Sequence, residues 1–99
     1  SREGETALMA ASYAYDHPGS DHVAVIRLLI KDGRAVVDAR KKDGRTALWM
    51  ACYRGCSNRA RVLLLEGLAD HIIPSDEGET PMAVAERGGH KDCIRLLQV

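Results

Sequence analysis

One short phrase occurs three times in this chain. GETALMAASYAY begins at Gly4, GRTALWMACYRG at Gly44 and GETPMAVAERGG at Gly78. In each copy a Thr follows the Gly by two positions (Thr6, Thr46, Thr80), and an Ala follows that Thr by five (Ala11, Ala51, Ala85). A period of a few tens of residues marks an architecture of stacked units, so it is read before any single element. The chemistry of each copy predicts a short helix. A Thr hydroxyl accepts a hydrogen bond from a free first-turn N–H, which makes Thr a good N-cap. Pro81 takes the first helical position after Thr80, where its fixed φ suits the helix and its missing N–H costs nothing. Leu48, Ala51 and Cys52 then share one face, and small residues there let neighbouring helices approach closely.

A second helix follows each first one, in HVAVIRLLIKDG from His22, ARVLLLEG from Ala60 and HKDCIRLLQV from His90. Apolar residues recur at helical spacing: Val25, Ile26, Leu28 and Leu29; Val62, Leu63 and Leu64; Cys93, Ile94, Leu96 and Leu97. Leu63 and Leu97 are expected to be fully buried. Gly33 and Gly67 are expected to end their helices, as Gly does at C′. Leu65 and Leu68 are expected to pack under the following connector with Ile72 and Ile73. The spacings agree between copies: 16 residues from Thr46 to Val62 and from Thr80 to Leu96, and 11 from Gly33 to Gly44 and from Gly67 to Gly78.

This unit resembles the ankyrin repeat, with its period of about 33 residues and its T-P-L-H-x-A signature. Thr80-Pro81-Met82-Ala83-Val84-Ala85 with Gly89-His90 is close to that signature. Thr46-Ala47-Leu48-Trp49-Met50-Ala51 and Thr6-Ala7-Leu8-Met9-Ala10-Ala11 are variants of it. The resemblance implies an all-α solenoid of three helix-turn-helix repeats joined by hairpin-like fingers, in one domain. Repeat 1 spans about 2–40 with an insertion near 13–21, repeat 2 about 41–74 and repeat 3 about 75–99. The polar stripe Asp92, Arg95 and Gln98 gives the third repeat the look of a terminal cap. Repeat 1 has no finger before it, and the chain begins without Met, so it is expected to be a piece of a longer protein.

Departures from the family pattern mark where this chain differs. The signature His is replaced by Met9, Trp49 and Ala83, so its hydrogen bonds between repeats are expected to be absent, with Trp49 filling the space. Arg59 stands where the family has an aliphatic residue. From Thr6 to Leu28 is 22 residues, six more than in the other copies. The excess lies in YAYDHPGSD, Tyr13 to Asp21, where His17-Pro18-Gly19-Ser20 is a turn-forming run. That loop bears no residue that the core of the other repeats lacks, so the fold is expected to survive its replacement.

Function classes can be narrowed by charge and cysteine content. With 14 basic and 14 acidic residues the net charge is zero, and no global field favours nucleic acid or an anionic membrane. The apolar runs are too short to span a bilayer. Three Cys, an odd number without framework spacing, point to a reducing intracellular setting. Cys52 and Cys56 lie four apart on a helix, and His90 corresponds to Cys56 one repeat later. Neighbouring repeats are expected to stand too far apart for these to share an ion, and a zinc site needs four converging ligands. No phosphate-cradling glycine loop or nucleophile elbow is present. The expectation is a monomeric, non-enzymatic module without cofactor or metal. The alternatives are a structural segment of a longer solenoid without its own epitope, and nucleotide or RNA binding by the band from Arg40 to Arg45 with Trp49, which would weaken steeply with salt.

The resemblance implies a partner protein on the concave side, gripped by fingers and first helices. Carried across residue by residue, the contact positions are Glu3, Glu5 and Tyr13 in repeat 1, with Tyr15 added by the insertion; Arg40, Lys42, Asp43, Arg45, Tyr53 and Arg54 in repeat 2; and Asp76, Glu77, Glu79 and Arg87 in repeat 3. These form acidic, basic and acidic bands, so the expected partner carries an acidic segment opposite repeat 2. The tyrosines are the expected anchors.

Overall fold

The computed structural model describes residues 5–98. Glu3 and Gly4, used in the sequence reading, lie outside them. Six helices follow in order: α1 (Ala7–Tyr13), α2 (His22–Asp32), α3 (Ala47–Arg54), α4 (Ser57–Leu65), α5 (Pro81–Gly88) and α6 (Lys91–Leu97). No strand occurs among the described residues. The expected caps form: the hydroxyls of Thr6, Thr46 and Thr80 accept from the N–H groups of Met9, Trp49 and Ala83 at 3.2, 3.1 and 3.1 Å. Gly55 and Gly89 close α3 and α5 in the left-handed conformation, at φ 71° and 68°.

The first helices α1, α3 and α5 pack in one layer, and α2, α4 and α6 in a second layer behind them. Leu48, Ala51, Cys52, Ala60, Leu63, Ala85 and Cys93 are at most 1% exposed. Leu97 is buried as expected. Trp49 is also 1% exposed, yet it does more than fill space. Its indole Nε1 donates to the Glu79 carbonyl at 2.9 Å. A hydrogen bond between repeats is therefore present where none was expected without the signature His. Neighbouring fingers are joined too, by Asp76 N–H to the Asp43 carbonyl at 2.9 Å and Arg40 Nη2 to the Pro74 carbonyl at 2.7 Å.

Three expectations are corrected. Gly67 does not terminate α4 in a left-handed turn. Glu66 caps the helix in right-handed geometry, and Leu68 takes the positive φ, 54°. Gly67 is needed for space instead, because a Cβ there would lie 2.9 Å from the Leu63 carbonyl and 3.0 Å from Ile30 Cδ1. Leu65, Leu68 and Ile72 are 66, 79 and 65% exposed rather than tucked under the connector. Ile73 is half-buried. Val25 and Leu28 are also exposed, whereas Arg59 and Val62, at the matching places in α4, are buried. Repeat 2 has repeat 1 packed before it, and the described residues place nothing on that side of repeat 1.

Two stability measurements follow. Leu63→Ala empties a site at the centre of the helix stack and should cost about 2–5 kcal/mol in urea unfolding. Leu68→Gly should act the other way. Relief of about 1–2 kcal/mol of left-handed strain against about 0.5–1 kcal/mol of glycine entropy leaves a small net stabilisation. A lowered midpoint for Leu68→Gly would mean that the Leu68 side chain contributes packing that outweighs its strain.

Candidate partner-binding face

The insertion changes how α1 ends, and the face follows from that. α3 and α5 stop at a glycine, but α1 runs into Ala14, which is extended at φ −56° and ψ 144°. Without a glycine turn its last carbonyls need other donors. Repeat 2 provides them. Arg54 Nε donates to the Tyr13 carbonyl at 3.0 Å. Arg59 Nη1 donates to the carbonyls of Ser12 at 3.2 Å and Ala14 at 2.6 Å, and its Nη2 reaches Asp16 Oδ1 at 2.8 Å. Arg59 is 3% exposed. Its guanidinium is buried at the place where the family keeps an aliphatic chain, and the extra loop is what satisfies it. The loop therefore carries acceptors that the interior needs, contrary to the expectation that it could be exchanged freely.

On the outer side of this junction the aromatic residues form a ladder. Trp49 and Tyr53 stack with centroids 5.5 Å apart and planes 13° from parallel. Tyr53 stacks on Tyr13 across the repeat boundary at 6.2 Å and 14°. Tyr15 meets Tyr13 edge-on at 6.4 Å. Two guanidiniums cover its ends: Arg45 lies 4.3 Å from the Trp49 ring and Arg54 3.6 Å from the Tyr15 ring. Helical spacing puts Trp49 and Tyr53 on one face of α3, and the repeat offset puts Tyr13 beside Tyr53. Tyr13 and Tyr53 keep 39 and 41% of their surface, and Tyr15 keeps 66%. A cleft of about 220 Å³ opens beside the ladder between Glu5, Tyr13, Lys41, Arg45, Trp49 and Met50.

The charged candidates are largely paired within the molecule. Arg40 holds the carbonyls of Gly44 and Pro74 and lies 3.6 Å from Asp76. Asp43 takes Lys41 at 3.2 Å and Arg45 at 3.5 Å. Partial burial works against its charge, but the Arg45 N–H and the Lys41 ammonium hold its carboxyl below the ordinary value. Arg87 donates from Nε and Nη2, one edge of its guanidinium, to the two Glu79 carboxylate oxygens at 2.7 and 2.9 Å, and lowers the Glu79 pKa. Lys42 and Glu77 are exposed and have no ion-pair partner among the described residues. Tyr13, Tyr15, Arg45, Tyr53 and Arg54 come together in the ladder. Glu79 joins the ladder through its carbonyl, which accepts from Trp49 Nε1, and holds Arg87 beside it; Glu77 lies on the third repeat and enters neither contact.

Comparison with known proteins decides the family. A family model described as ankyrin repeats in three copies matches residues 1–74. The chain belongs to the ankyrin-repeat family. Its curated relatives include the Caenorhabditis elegans ankyrin repeat and KH domain-containing protein mask-1, 38% identical over 76 residues, which are 77% of this chain and 3% of that protein. The rice potassium channel AKT3 is 40% identical over 83 residues, 84% of this chain and 9% of the channel. Mouse ankyrin repeat and SOCS box protein 16 is 39% identical over 85 residues, 84% of this chain and 18% of that protein. The chain thus spans less than a fifth of the length of each of these relatives. Ankyrin repeats are generally protein-interaction modules, and the family is generally non-catalytic, although one relative is named an E3 ubiquitin-protein ligase. No helix among the described residues is long and apolar enough to cross a membrane.

The thiols and His90 belong to the ankyrin stack itself. His90 does reach the neighbouring repeat, contrary to the expected separation. Its ring lies against Gly55, where a Cβ would collide with it. His90 Nε2 stands 3.1 Å from the Tyr53 carbonyl, which can only accept, so Nε2 carries a proton. No group of three or more metal-ligating side chains converges among the described residues. A hydrogen bond with Cys93, together with burial, pushes the Cys52 thiol up. Burial also raises the half-buried Cys56.

Two results are expected here. Replacing residues 14–21 by a short glycine turn should strand the Arg59 guanidinium and cost about 3–5 kcal/mol. Arg59→Leu in the shortened chain should recover most of that loss, whereas in the parent chain it should destabilise by about 1–3 kcal/mol through the orphaned carbonyls. Additive effects in this cycle would mean that the loop and Arg59 are uncoupled. In thiol labelling of the native protein at neutral pH, Cys56 should react first, more slowly than a free cysteine, and Cys52 and Cys93 only on unfolding. Equal labelling rates for all three would contradict the buried pair.

Proposed function

We propose that this chain is a non-catalytic protein-interaction module whose partner lies across the fingers and first helices, centred on Tyr13, Tyr15, Tyr53 and Arg54. The observation that carries this reading is the aromatic ladder, which joins two repeats and the insertion into one surface. Tyrosines of this kind offer much contact area for few rotors, and stacking with arginine fixes their positions before any partner arrives. Arg40, Lys42, Asp43, Arg45, Glu77, Glu79 and Arg87 form the polar surround. An acidic segment of the partner would meet Lys42 first. Arg40, Lys41 and Arg45 already have internal partners, so charge would act at short range, through Lys42, rather than through a long-range steering field. The module acts as a monomer in a reducing intracellular compartment, where its unpaired thiols are stable.

A second reading, a structural segment of a longer solenoid, is favoured by one observation. Val25, Leu28 and Val36 are 44, 67 and 68% exposed on the outer side of repeat 1. The two readings are compatible, since one face stacks while another binds.

The test is affinity capture with the paired variant Tyr13→Ala/Tyr53→Ala, set against Lys91→Ala on the opposite layer. A partner retained by the parent chain should be weakened about tenfold or more, about 1.4 kcal/mol, by the tyrosine changes and left unchanged by Lys91→Ala. Equal retention by both folded variants would remove the ladder from the interface.

A further inference from the structure

Two of the three thiols meet across a repeat boundary. Cys52 lies in the last turn of α3, in repeat 2, and Cys93 in the first turn of α6, in repeat 3. Both are 0% exposed. The start of α6 is fixed against the end of α3 by His90, whose ring lies on Gly55 and whose Nε2 holds the Tyr53 carbonyl. One turn further along α6, the Cys93 sulfur accepts a hydrogen bond from the Cys52 thiol. That bond makes Cys93 the more readily ionised of the two.

The preceding boundary shows what this place does. A shift of 34 positions carries Arg59 to Cys93, and one of 40 positions carries Ser12 to Cys52. Between repeats 1 and 2 the two positions are tied, by Arg59 Nη1 to the Ser12 carbonyl at 3.2 Å. Between repeats 2 and 3 the same two positions hold a pair of thiols, whose mutual hydrogen bond is a far weaker tie than a guanidinium. α6 is also only seven residues long, and it packs on α4 and α5. So short an element opens at a lower cost than the whole molecule, and each opening exposes both sulfurs.

We propose that Cys52 and Cys93 are an oxidisable pair whose disulfide latches repeat 3 to repeat 2. The oxidant is a small disulfide of the glutathione type. During an opening the Cys93 thiolate attacks one of its sulfurs and expels the first glutathione thiolate. Cys52 then attacks Cys93 Sγ in the mixed disulfide and expels the second. Two electrons pass from the protein sulfurs to the oxidant, and the two thiol protons end on the two glutathiones. A glutathione on Cys93 has no room in the closed stack, so closure favours its displacement by Cys52. The finished bond closes a loop of about 40 residues and opposes any further lifting of repeat 3. Trp49 and Tyr53, which repeat 3 holds through Glu79 and His90, are fixed with it. The latch forms whether or not that face binds a partner.

The experiment uses the full chain carrying Cys56→Ser, which removes the more accessible thiol and leaves a residue that caps helices well. The protein is held without denaturant in a mixture of oxidised and reduced glutathione and then mapped by mass spectrometry. The expected product has lost two hydrogens and links the peptides of Cys52 and Cys93. Its melting temperature should rise by at least about 5 °C. Amide exchange across α5 and α6 should slow about tenfold or more, and dithiothreitol should reverse both changes. Cys52→Ala in the same background should leave at most a glutathione on Cys93 and show no rise. Failure of the link to form without denaturant would overturn the proposal. So would a link that lowers the melting temperature or leaves exchange in repeat 3 unchanged, and so would an equal rise in the Cys52→Ala protein.

Discussion

Each first helix in this protein is only seven or eight residues long. A helix leaves its first four N–H and last four C=O groups without internal partners, so helices this short have almost as many orphaned groups as paired ones. Much else in the structure answers that shortage. Threonines serve the amino ends from within each repeat. At the carboxyl ends, left-handed Gly55 and Gly89 turn their own N–H groups back onto α3 and α5. The next repeat supplies further donors, through His90 to Tyr53 and through Arg54 and Arg59 to α1. One repeat alone could satisfy neither its apolar face nor its polar helix ends. Stacking meets both needs at the same boundary, as expected of an architecture whose units are stable only together.

The insertion exchanges one solution for another. A glycine cap is local and cheap. A buried guanidinium loses its hydration, which costs several kcal/mol, and it persists only where hydrogen bonds replace the water. Arg59 meets that condition with two carbonyls and one carboxylate. It lies at a helix carboxyl end, where the dipole favours a cation. Asp16 is 80% exposed, so the pair is only half withdrawn from water. Arg54 has two tasks at once: its Nε holds the Tyr13 carbonyl, and its face covers Tyr15. The device that ends α1 is therefore also the device that orders the aromatic surface.

What could be read from the sequence was what recurs. The threonine caps, the helix pairs and the burial of Leu63 and Trp49 follow from three copies in register, each copy checking the others. What could not be read was what occurs once and depends on distant groups. Arg59 could be seen to stand at an aliphatic position of the family, but not what would satisfy it there, because its acceptors lie 43 to 47 positions away. Gly67 resembles a helix stop, but crowding by Ile30 and the Leu63 carbonyl sets its role, and the left-handed turn passes to Leu68. Leu65, Leu68 and Ile72 looked like core because they are apolar, although nothing among the described residues covers them. Of the candidate face, the tyrosines could be singled out as candidates from their places in the repeats. Their stacking could not be read, because it depends on the offset between two repeats and on arginines recruited for another purpose.

Charge illustrates the same limit from the opposite direction. Read along the chain, the finger residues form acidic and basic bands. In space these bands largely cancel: Arg40 with Asp76, Lys41 and Arg45 with Asp43, Arg87 with Glu79. The carboxyls of Asp43 and Glu79 are held below their ordinary values by these partners. A carboxyl depressed on folding contributes stability that is complete above its unfolded pKa, near 4, and is lost only as pH falls through the lower folded value. At neutral pH the pairs are therefore closed. Net charge is zero, so little long-range field remains to steer a partner. On the proposed reading, selection between partners falls to short-range features, here tyrosine edges covered by Arg54, which cannot swing away without freeing the Tyr13 carbonyl at the end of α1.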